Sequence, residues 1–144
     1  MLPAVLLTKV VLDVTVKYKF REYFMVLDSF SLMVGSKQPK ELAKFYEKIF
    51  QKEADMVDGD WRGWALGKSW FTIGSHSEVK EVASDPDRLI LNFTAKDVKN
   101  EFERIQKIGA KVIKEPYDAG EGMWIATFAD PDGNLFQLMS PWEE

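Results

Sequence analysis

The segment Phe128-Ala-Asp-Pro-Asp-Gly-Asn-Leu-Phe-Gln-Leu138 decides the fold, because it places a tight turn between two apolar stretches. Pro131 fixes a backbone angle that suits a turn, and Gly133 can adopt the positive φ that other residues avoid. Asp130 and Asp132 have short side chains that can accept hydrogen bonds from the turn backbone. The segment therefore predicts a β-hairpin.

Outward from this hairpin, the sequence contains one pattern twice: a strand, a helix and three further strands. Large apolar residues of the first strand recur 61 positions later, Phe30 and Leu32 matching Leu91 and Phe93. A duplication of this kind defines an architecture. In the first copy a strand from Leu27 precedes a helix over Pro39–Phe50 and strands at Glu53–Asp58, Trp61–Leu66 and Ser69–Ile73. The second copy predicts a strand at Leu89–Ala95, a helix at Val98–Ile108 with Asp97 as its N-cap, and strands at Lys111–Glu115, Met123–Ala129 and Leu135–Met139.

The repeat and the Asp-Pro-Asp-Gly-Asn turn resemble the vicinal-oxygen-chelate superfamily, which includes glyoxalase I, extradiol dioxygenases and bleomycin-resistance proteins. The resemblance covers about residues 27–142 and implies an α+β fold. Two βαβββ modules, at about 27–75 and 88–142, would form one curved eight-stranded mixed sheet, a cup with helices on its convex side. The domain is assigned to residues 25–144. Residues 1–24 are either an added edge strand, as their period-two alternation suggests, or an extension upstream of Met25.

The composition excludes several classes of protein. A chain of 144 residues with 46% hydrophobic and 29% charged residues is expected to form one globular domain. The net charge of −4 gives no basic surface for nucleic acid or an anionic membrane. The sequence shows neither a signal peptide nor a membrane span, so a cytoplasmic location is expected. Zero cysteines and one histidine exclude disulfides, thiolate metal sites and clusters of imidazoles.

The alternation of the strands predicts which side chains face the cup. In each first strand the large apolar set must meet the helix, so the other set faces inward. Trp61 and Trp64 differ in parity, which leaves open which of the two lies inside. The predicted ligand-binding residues are Ser29, Ser31, Trp61, Trp64, Asn92, Met123, Ile125, Thr127, Gln137 and Met139.

The resemblance also locates the positions that hold a metal in other members. Those proteins carry His on the first strand, His or Gln on the fifth, and Glu on the last. The matching residues here are Ser29, Ile90 and Gln137, and a fourth position falls near Gly74. Divalent ions bind imidazole or carboxylate groups in preference to these. The sequence therefore predicts no metal, no other cofactor and no catalytic residue, and His76 is expected to be a surface loop histidine.

An apolar, tryptophan-rich cup with a few neutral polar groups suits an organic ligand. The resemblance to bleomycin-resistance proteins implies a metal-free homodimer that sequesters an aromatic or antibiotic-like molecule. One alternative is a metal-dependent lyase or dioxygenase of the same superfamily. Another is a structural or regulatory homodimer whose cup is filled by its own side chains. An aromatic ligand should change tryptophan emission, whereas a self-filled cup should bind nothing.

Overall fold

The computed structural model describes residues 30–141, and from Ser31 onward they form one compact unit. The predictions for residues 1–24 and for Ser29 lie outside the described residues. Within the described part, no helix is long and apolar enough to cross a membrane.

Both βαβββ modules are present, which confirms the predicted α+β class. In the first module the elements are β1 (Ser31–Ser36), α1 (Pro39–Phe50), β2 (Met56–Asp58), β3 (Trp61–Leu66) and β4 (Ser69–Ser75). A short 3-10 turn at Pro86–Arg88 leads into the second module. Its elements are β5 (Ile90–Thr94), α2 (Val98–Lys107), β6 (Lys111–Asp118), β7 (Trp124–Ala129) and β8 (Leu135–Met139).

Each module forms its own four-stranded mixed sheet. Sheet 1 has the strand order β1-β4-β3-β2, and sheet 2 has the equivalent order β5-β8-β7-β6. In both sheets the first and last strands of the module pair in parallel, and the other pairs are antiparallel. The eight predicted strands are therefore hydrogen bonded in two groups of four. No strand of sheet 1 is hydrogen bonded to a strand of sheet 2 among the described residues, and side-chain packing joins the two groups.

Helix α1 supplies much of the contact between the modules. Pro39 begins it, and Leu42, Tyr46 and Ile49 are buried on one side. The ring of Tyr46 lies 5.0 Å from that of Phe71 in sheet 1 and 6.1 Å from that of Phe136 in sheet 2. Because one helix contacts both sheets, the two modules share a single hydrophobic core.

Helix α2 begins at the predicted N-cap, Asp97, whose side chain accepts a hydrogen bond from the backbone N of Asn100 at 3.0 Å. Near its end, the guanidinium of Arg104 donates to the carbonyls of Lys48 and Ile49 at 3.0 and 2.7 Å. These carbonyls belong to the last turn of α1, where a cation is favourable. Arg104 thus ties the C-terminal end of α1 to the second module.

Several strand ends differ from the predictions, and two of these differences concern the contacts of a particular residue. Strand β2 begins at Met56 rather than Glu53, because Asp55 lies in a loop where its side chain accepts a hydrogen bond from the backbone N of Ala65 at 2.8 Å. Phe30 was expected to pack against α1 with Leu32, but it precedes β1 and is 70% exposed.

The organising hairpin has the predicted turn. The backbone N of Asp130 donates to the carbonyl of Asn134, and that of Gly133 donates to the carbonyl of Asp130, both at 2.9 Å. Gly133 has φ of +80°, as the turn required. Strand β8 then occupies the predicted residues, Leu135–Met139.

Replacing Gly133 with valine is expected to lower the free energy of unfolding by about 1–3 kcal/mol, because a β-branched residue is strained at positive φ. Pro131→Ala is the matched control in the same turn, and it should cost about 1 kcal/mol or less, since it mainly frees the unfolded chain. Urea unfolding of both variants gives the comparison. Equal midpoints for wild type and Gly133→Val would contradict this account of the turn.

Candidate functional site

Each sheet has a face that packs in the core and an opposite face, called here the open face. In sheet 1, Trp64 is paired with Phe71 on the core side, and Gly63 is paired with Thr72 on the open side. In sheet 2, Phe128 and Phe136 form a buried pair, and Thr127 lies opposite Gln137 on the open side. Because paired residues share a face, the register fixes which predicted site residues could meet a ligand.

The open face of sheet 2 contains a small group of neutral polar side chains. Asn92 lies opposite Gln137 in the parallel β5–β8 pair and is exposed. The Nε2 of Gln137 donates to the Oγ1 of Thr127 at 3.0 Å, and Thr127 itself is buried. Thr127 therefore orients the Gln137 amide instead of presenting its own hydroxyl to solvent.

Apolar side chains border this polar group. Ile125 lies opposite Met139, and both are half-buried. Met123 was predicted to begin the strand, but it precedes β7, where its backbone closes a turn by donating to the carbonyl of Gly120 at 3.0 Å. Lys114 and Tyr117 of β6 pair with Thr127 and Ile125 on the same face, and the ammonium of Lys114 lies 3.7 Å from the centre of the Tyr117 ring. The open face of sheet 2 thus combines one exposed amide, one oriented amide, a lysine packed on a tyrosine, and a border of alkyl and thioether groups.

The open face of sheet 1 carries two tryptophans. Trp61 belongs to β3 and Trp70 to β4, and both are half-buried. Ser31 and Met33 of β1 pair with Trp70 and Thr72, and Met33 is 52% exposed. Sequence reasoning did not select Trp70. Its parity with Thr72 and Gly74, opposite to that of the buried Phe71 and Ile73, was the available signal.

The prediction that Trp64 contacts a ligand is wrong. Its side chain is 0% exposed, with ring centroids 5.7 and 5.9 Å from those of Phe50 and Phe71. Its indole nitrogen donates to the carbonyl of Lys52 at 3.3 Å. The parity of β3 places Trp64 on the side of α1, so Trp61 is the tryptophan of this strand that lies on the open face.

The described positions that match the metal ligands of the superfamily do not fit a divalent cation. Ile90 offers only an alkyl group, and Gln137 offers a single neutral amide oxygen. Gly74 lacks a side chain and lies beneath the ring of Trp61. Among residues 30–141, no group of three or more His, Asp or Glu side chains is arranged to hold a metal ion. This donor set lacks the imidazole and carboxylate groups that such ions need.

His76 lies in the exposed loop after β4, as the sequence predicted. Its Nδ1 accepts a hydrogen bond from the backbone N of Glu78 at 3.3 Å, an interaction within its own turn. Its Cβ also packs near the backbone of Gly35. These contacts give His76 a local structural role.

A polar cluster, called here the module junction, joins the hairpin to the first module; it comprises Ser36, Gln38, Tyr46, Asp130 and Asp132, all of them buried except Gln38. Tyr46 Oη donates to Asp130 Oδ2 at 2.8 Å. Ser36 Oγ and Gln38 Nε2 donate to the two carboxylate oxygens of Asp132, the latter at 2.8 Å. Both aspartates thus bind partners some 90 positions away in the chain, besides closing their own turn.

Burial changes the protonation behaviour of the module junction. Loss of hydration raises the pKa of Asp130, and hydrogen bonds from Asn134 and Tyr46 offset this only in part. Burial, and then the nearby charge of Asp130, raise the pKa of Tyr46 well above its usual value, so the phenol remains a donor. With its hydrogen-bonding groups occupied by one another, the cluster stabilises the fold and has no evident role in catalysis.

Residues 31–139 match the family model of the glyoxalase-like domain. The chain belongs to this family. The assignment agrees with the resemblance to the vicinal-oxygen-chelate superfamily and covers both modules. No curated protein matches the chain.

Solved structures of similar fold include proteins from two bacteria. One is a glyoxalase/bleomycin resistance protein/dioxygenase family enzyme from Burkholderia phytofirmans, with TM-score 0.63 and 21% identity over 76% of this chain and 95% of that one. Another is a glyoxalase/bleomycin resistance protein from Albidiferax ferrireducens, with TM-score 0.63 and 17% identity over 79% and 98%. At these identities the similarity establishes the fold alone.

Proposed function

We propose that this glyoxalase-like protein binds a small organic molecule on the open faces of its sheets without a divalent metal. The observation that carries the proposal is the chemistry of the family's metal positions, where Ile90 has no donor atom and Gln137 offers only a neutral amide oxygen. The same faces present indole, thioether and amide groups. Such surfaces bind organic ligands by apolar burial, with a few polar groups that fix the orientation.

The proposed site differs from the sequence prediction at two tryptophans, since Trp70 replaces the buried Trp64. The oriented amide of Gln137 and the exposed amide of Asn92 are the proposed polar anchors. Trp61 and Trp70 supply the aromatic surface. Thr127 acts through Gln137, because its hydroxyl is engaged in that hydrogen bond.

The proposed biological role is sequestration of an aromatic or antibiotic-like compound. A protein that binds such a compound lowers its free concentration by mass action, which requires no chemical step. Two neighbours in fold carry bleomycin resistance in their descriptions. Bleomycin-type glycopeptides are therefore the first ligands to test, by titration monitored through tryptophan emission.

Gln137→Leu is expected to weaken ligand binding by about 1–3 kcal/mol, because a polar group of the ligand would lose its partner. The urea midpoint should remain nearly unchanged, since Gln137 is only half-buried. Gln106→Leu is the matched control, as Gln106 is exposed on α2 and should affect neither quantity. Equal affinities for wild type and Gln137→Leu would remove Gln137 from the site.

Elemental analysis of the purified protein, followed by titration with Zn²⁺, Ni²⁺, Mn²⁺ and Fe²⁺, tests the metal-free part of the proposal. We expect no stoichiometric ion and no affinity in the micromolar range. One tightly bound ion per chain on an open face would contradict the proposal and favour a metal-dependent lyase or dioxygenase.

We further propose that the protein acts as a homodimer. The exposed apolar side chains of Phe30, Val82 and Leu89 support this, since exposed apolar side chains favour association. Light scattering at several concentrations gives the test, and a monomeric mass throughout the range would contradict it.

A further inference from the structure

Two indole rings lie against sheet 1 on its open face, each above a glycine of the neighbouring strand. The ring of Trp61 covers Gly74, where an added Cβ atom would lie 2.6 Å from ring atom Cε2. The ring of Trp70 covers Gly63, where an added Cβ atom would lie 2.8 Å from ring atom Cζ2. A larger residue at either glycine would displace the ring above it. The surface formed by Trp61 and Trp70 is called here the indole floor.

The surface between the two rings is apolar as well. Thr72 lies between Trp70 and Gly74 on β4, and its Oγ1 donates to the carbonyl of Leu32 at 3.2 Å. Its hydroxyl is therefore engaged by the backbone. An aromatic ring packed over a glycine can stabilise a sheet without any ligand being bound. Glycine within a strand, however, weakens the strand and often marks a place where another group approaches the sheet closely. Here Gly63 and Gly74 lie on adjacent strands, and because they lack side chains both rings lie close to the backbone of the sheet.

A single carboxylate stands at the edge of the indole floor. Asp58 of β2 is paired with Trp61, so the two side chains share the open face. Among the open-face positions on the described strands of sheet 1, Asp58 is the one charged residue. Indole faces attract cations, and a neighbouring carboxylate adds to that attraction.

We propose that the indole floor is a stacking subsite for a flat, positively charged heteroaromatic ring, with Asp58 beside the positive charge. This inference rests on the proposed function and specifies its ligand class. Asn92 and Gln137 on sheet 2 play no part in stacking. The subsite can therefore be tested separately from the polar anchors.

The test uses 9-aminoacridine, a flat fluorescent cation, and follows its emission anisotropy during titration with the full-length protein. Trp61→Leu and Trp70→Leu are each expected to raise the Kd roughly tenfold or more, since stacking on one aromatic side chain commonly has an effect of this size. Trp61→Phe and Trp70→Phe should recover part of the affinity. Thermal unfolding of each variant establishes that it is folded at the assay temperature.

Two further variants test the geometry and the charge. Gly63→Ala keeps both indoles but displaces the ring of Trp70, so it too should weaken binding of 9-aminoacridine. Asp58→Asn should raise the Kd for this cation and leave that of 2-naphthol, a neutral flat probe, unchanged. Higher salt should weaken cation binding to wild type more than to Asp58→Asn.

Three outcomes separate this inference from the proposed function. Loss of 9-aminoacridine affinity in both Trp→Leu variants supports the indole floor, whereas the polar anchor is decided by the bleomycin affinity of Gln137→Leu. Unchanged 9-aminoacridine affinity in folded Trp→Leu variants overturns the indole floor, and weaker bleomycin binding by Gln137→Leu would then leave the proposed function intact. Failure of wild type to bind 9-aminoacridine at all overturns the indole floor, whereas the proposed function is then decided by the bleomycin titration.

Discussion

Asp130→Ala is expected to lower the free energy of unfolding by about 4 kcal/mol, because several donors lose one shared acceptor in a buried setting. The carboxylate of Asp130 accepts from Tyr46 Oη, from the backbone N of Asp132, and from the backbone N and Nδ2 of Asn134. The residue is 5% exposed, so water cannot readily replace it. Urea unfolding with an unchanged slope gives the measurement.

Tyr46→Phe is the matched variant, since it removes one donor and leaves the rest of the hairpin in place. It should cost about 2 kcal/mol as a single change, as expected for a hydrogen bond to a charged group. In the Asp130→Ala background it should cost much less, because the bond is already lost. Additive losses, or a loss below about 1 kcal/mol for Asp130→Ala, would show that the module junction contributes little to stability.

The raised pKa of Asp130 also predicts a pH dependence. The folded state holds the Asp130 proton more tightly than the unfolded state does, so this group stabilises the fold most below the usual aspartate pKa. That contribution falls as the pH rises through the raised pKa. Measured from about pH 3 to about pH 7, the stability of wild type relative to Asp130→Asn should decrease. Tyr46 and Asp132 are present in both proteins, so their contributions largely cancel. A relative stability that rises over this interval would contradict the sign.

Much of the fold was predictable because it depends on local patterns. Pro39 and the apolar spacing after it predicted the bounds of α1, which match the structure. Asp97 was identified as an N-cap from its side chain and position, and it makes that hydrogen bond. Strand parity correctly separated Asn92 and Gln137 from Phe93 and Phe136, since alternation requires no knowledge of distant residues.

Contacts between distant residues were not predictable in the same way. Asp130 and Asp132 appeared as turn residues, and the sequence gives no sign that they also bind Tyr46 and Ser36 of the first module. The contact of α1 with both sheets is a second case, because an amphipathic pattern shows that a face is buried and leaves its partner unspecified. Hydrogen bonds and packing contacts between the two modules therefore become known only from the folded structure.

The choice between Trp61 and Trp64 shows the same limit within one strand. Alternation established that the two indoles point to opposite faces, but both residues are large, aromatic and able to fill either position. The decisive fact is the packing of Phe50 and Phe71, which enclose Trp64 beneath α1. Trp61, three residues earlier, instead packs its ring over Gly74 on the open face.

Trp64→Ala is accordingly expected to lower the free energy of unfolding by about 3–5 kcal/mol, through lost apolar burial and the cavity that remains. Trp61→Ala is the matched change in the same strand and should cost clearly less, because Trp61 is only half-buried. For binding of 9-aminoacridine, a change at Trp61 should matter more than a change at Trp64. Trp64→Phe, which preserves an aromatic ring in the core, should bind 9-aminoacridine as wild type does, whereas Trp61→Ala should bind it weakly. If Trp64→Phe kept its thermal midpoint and lost affinity roughly tenfold, as expected when a stacking contact is removed, Trp64 would belong to the site after all. The described packing of β3 against α1 would then not be the arrangement that binds the ligand.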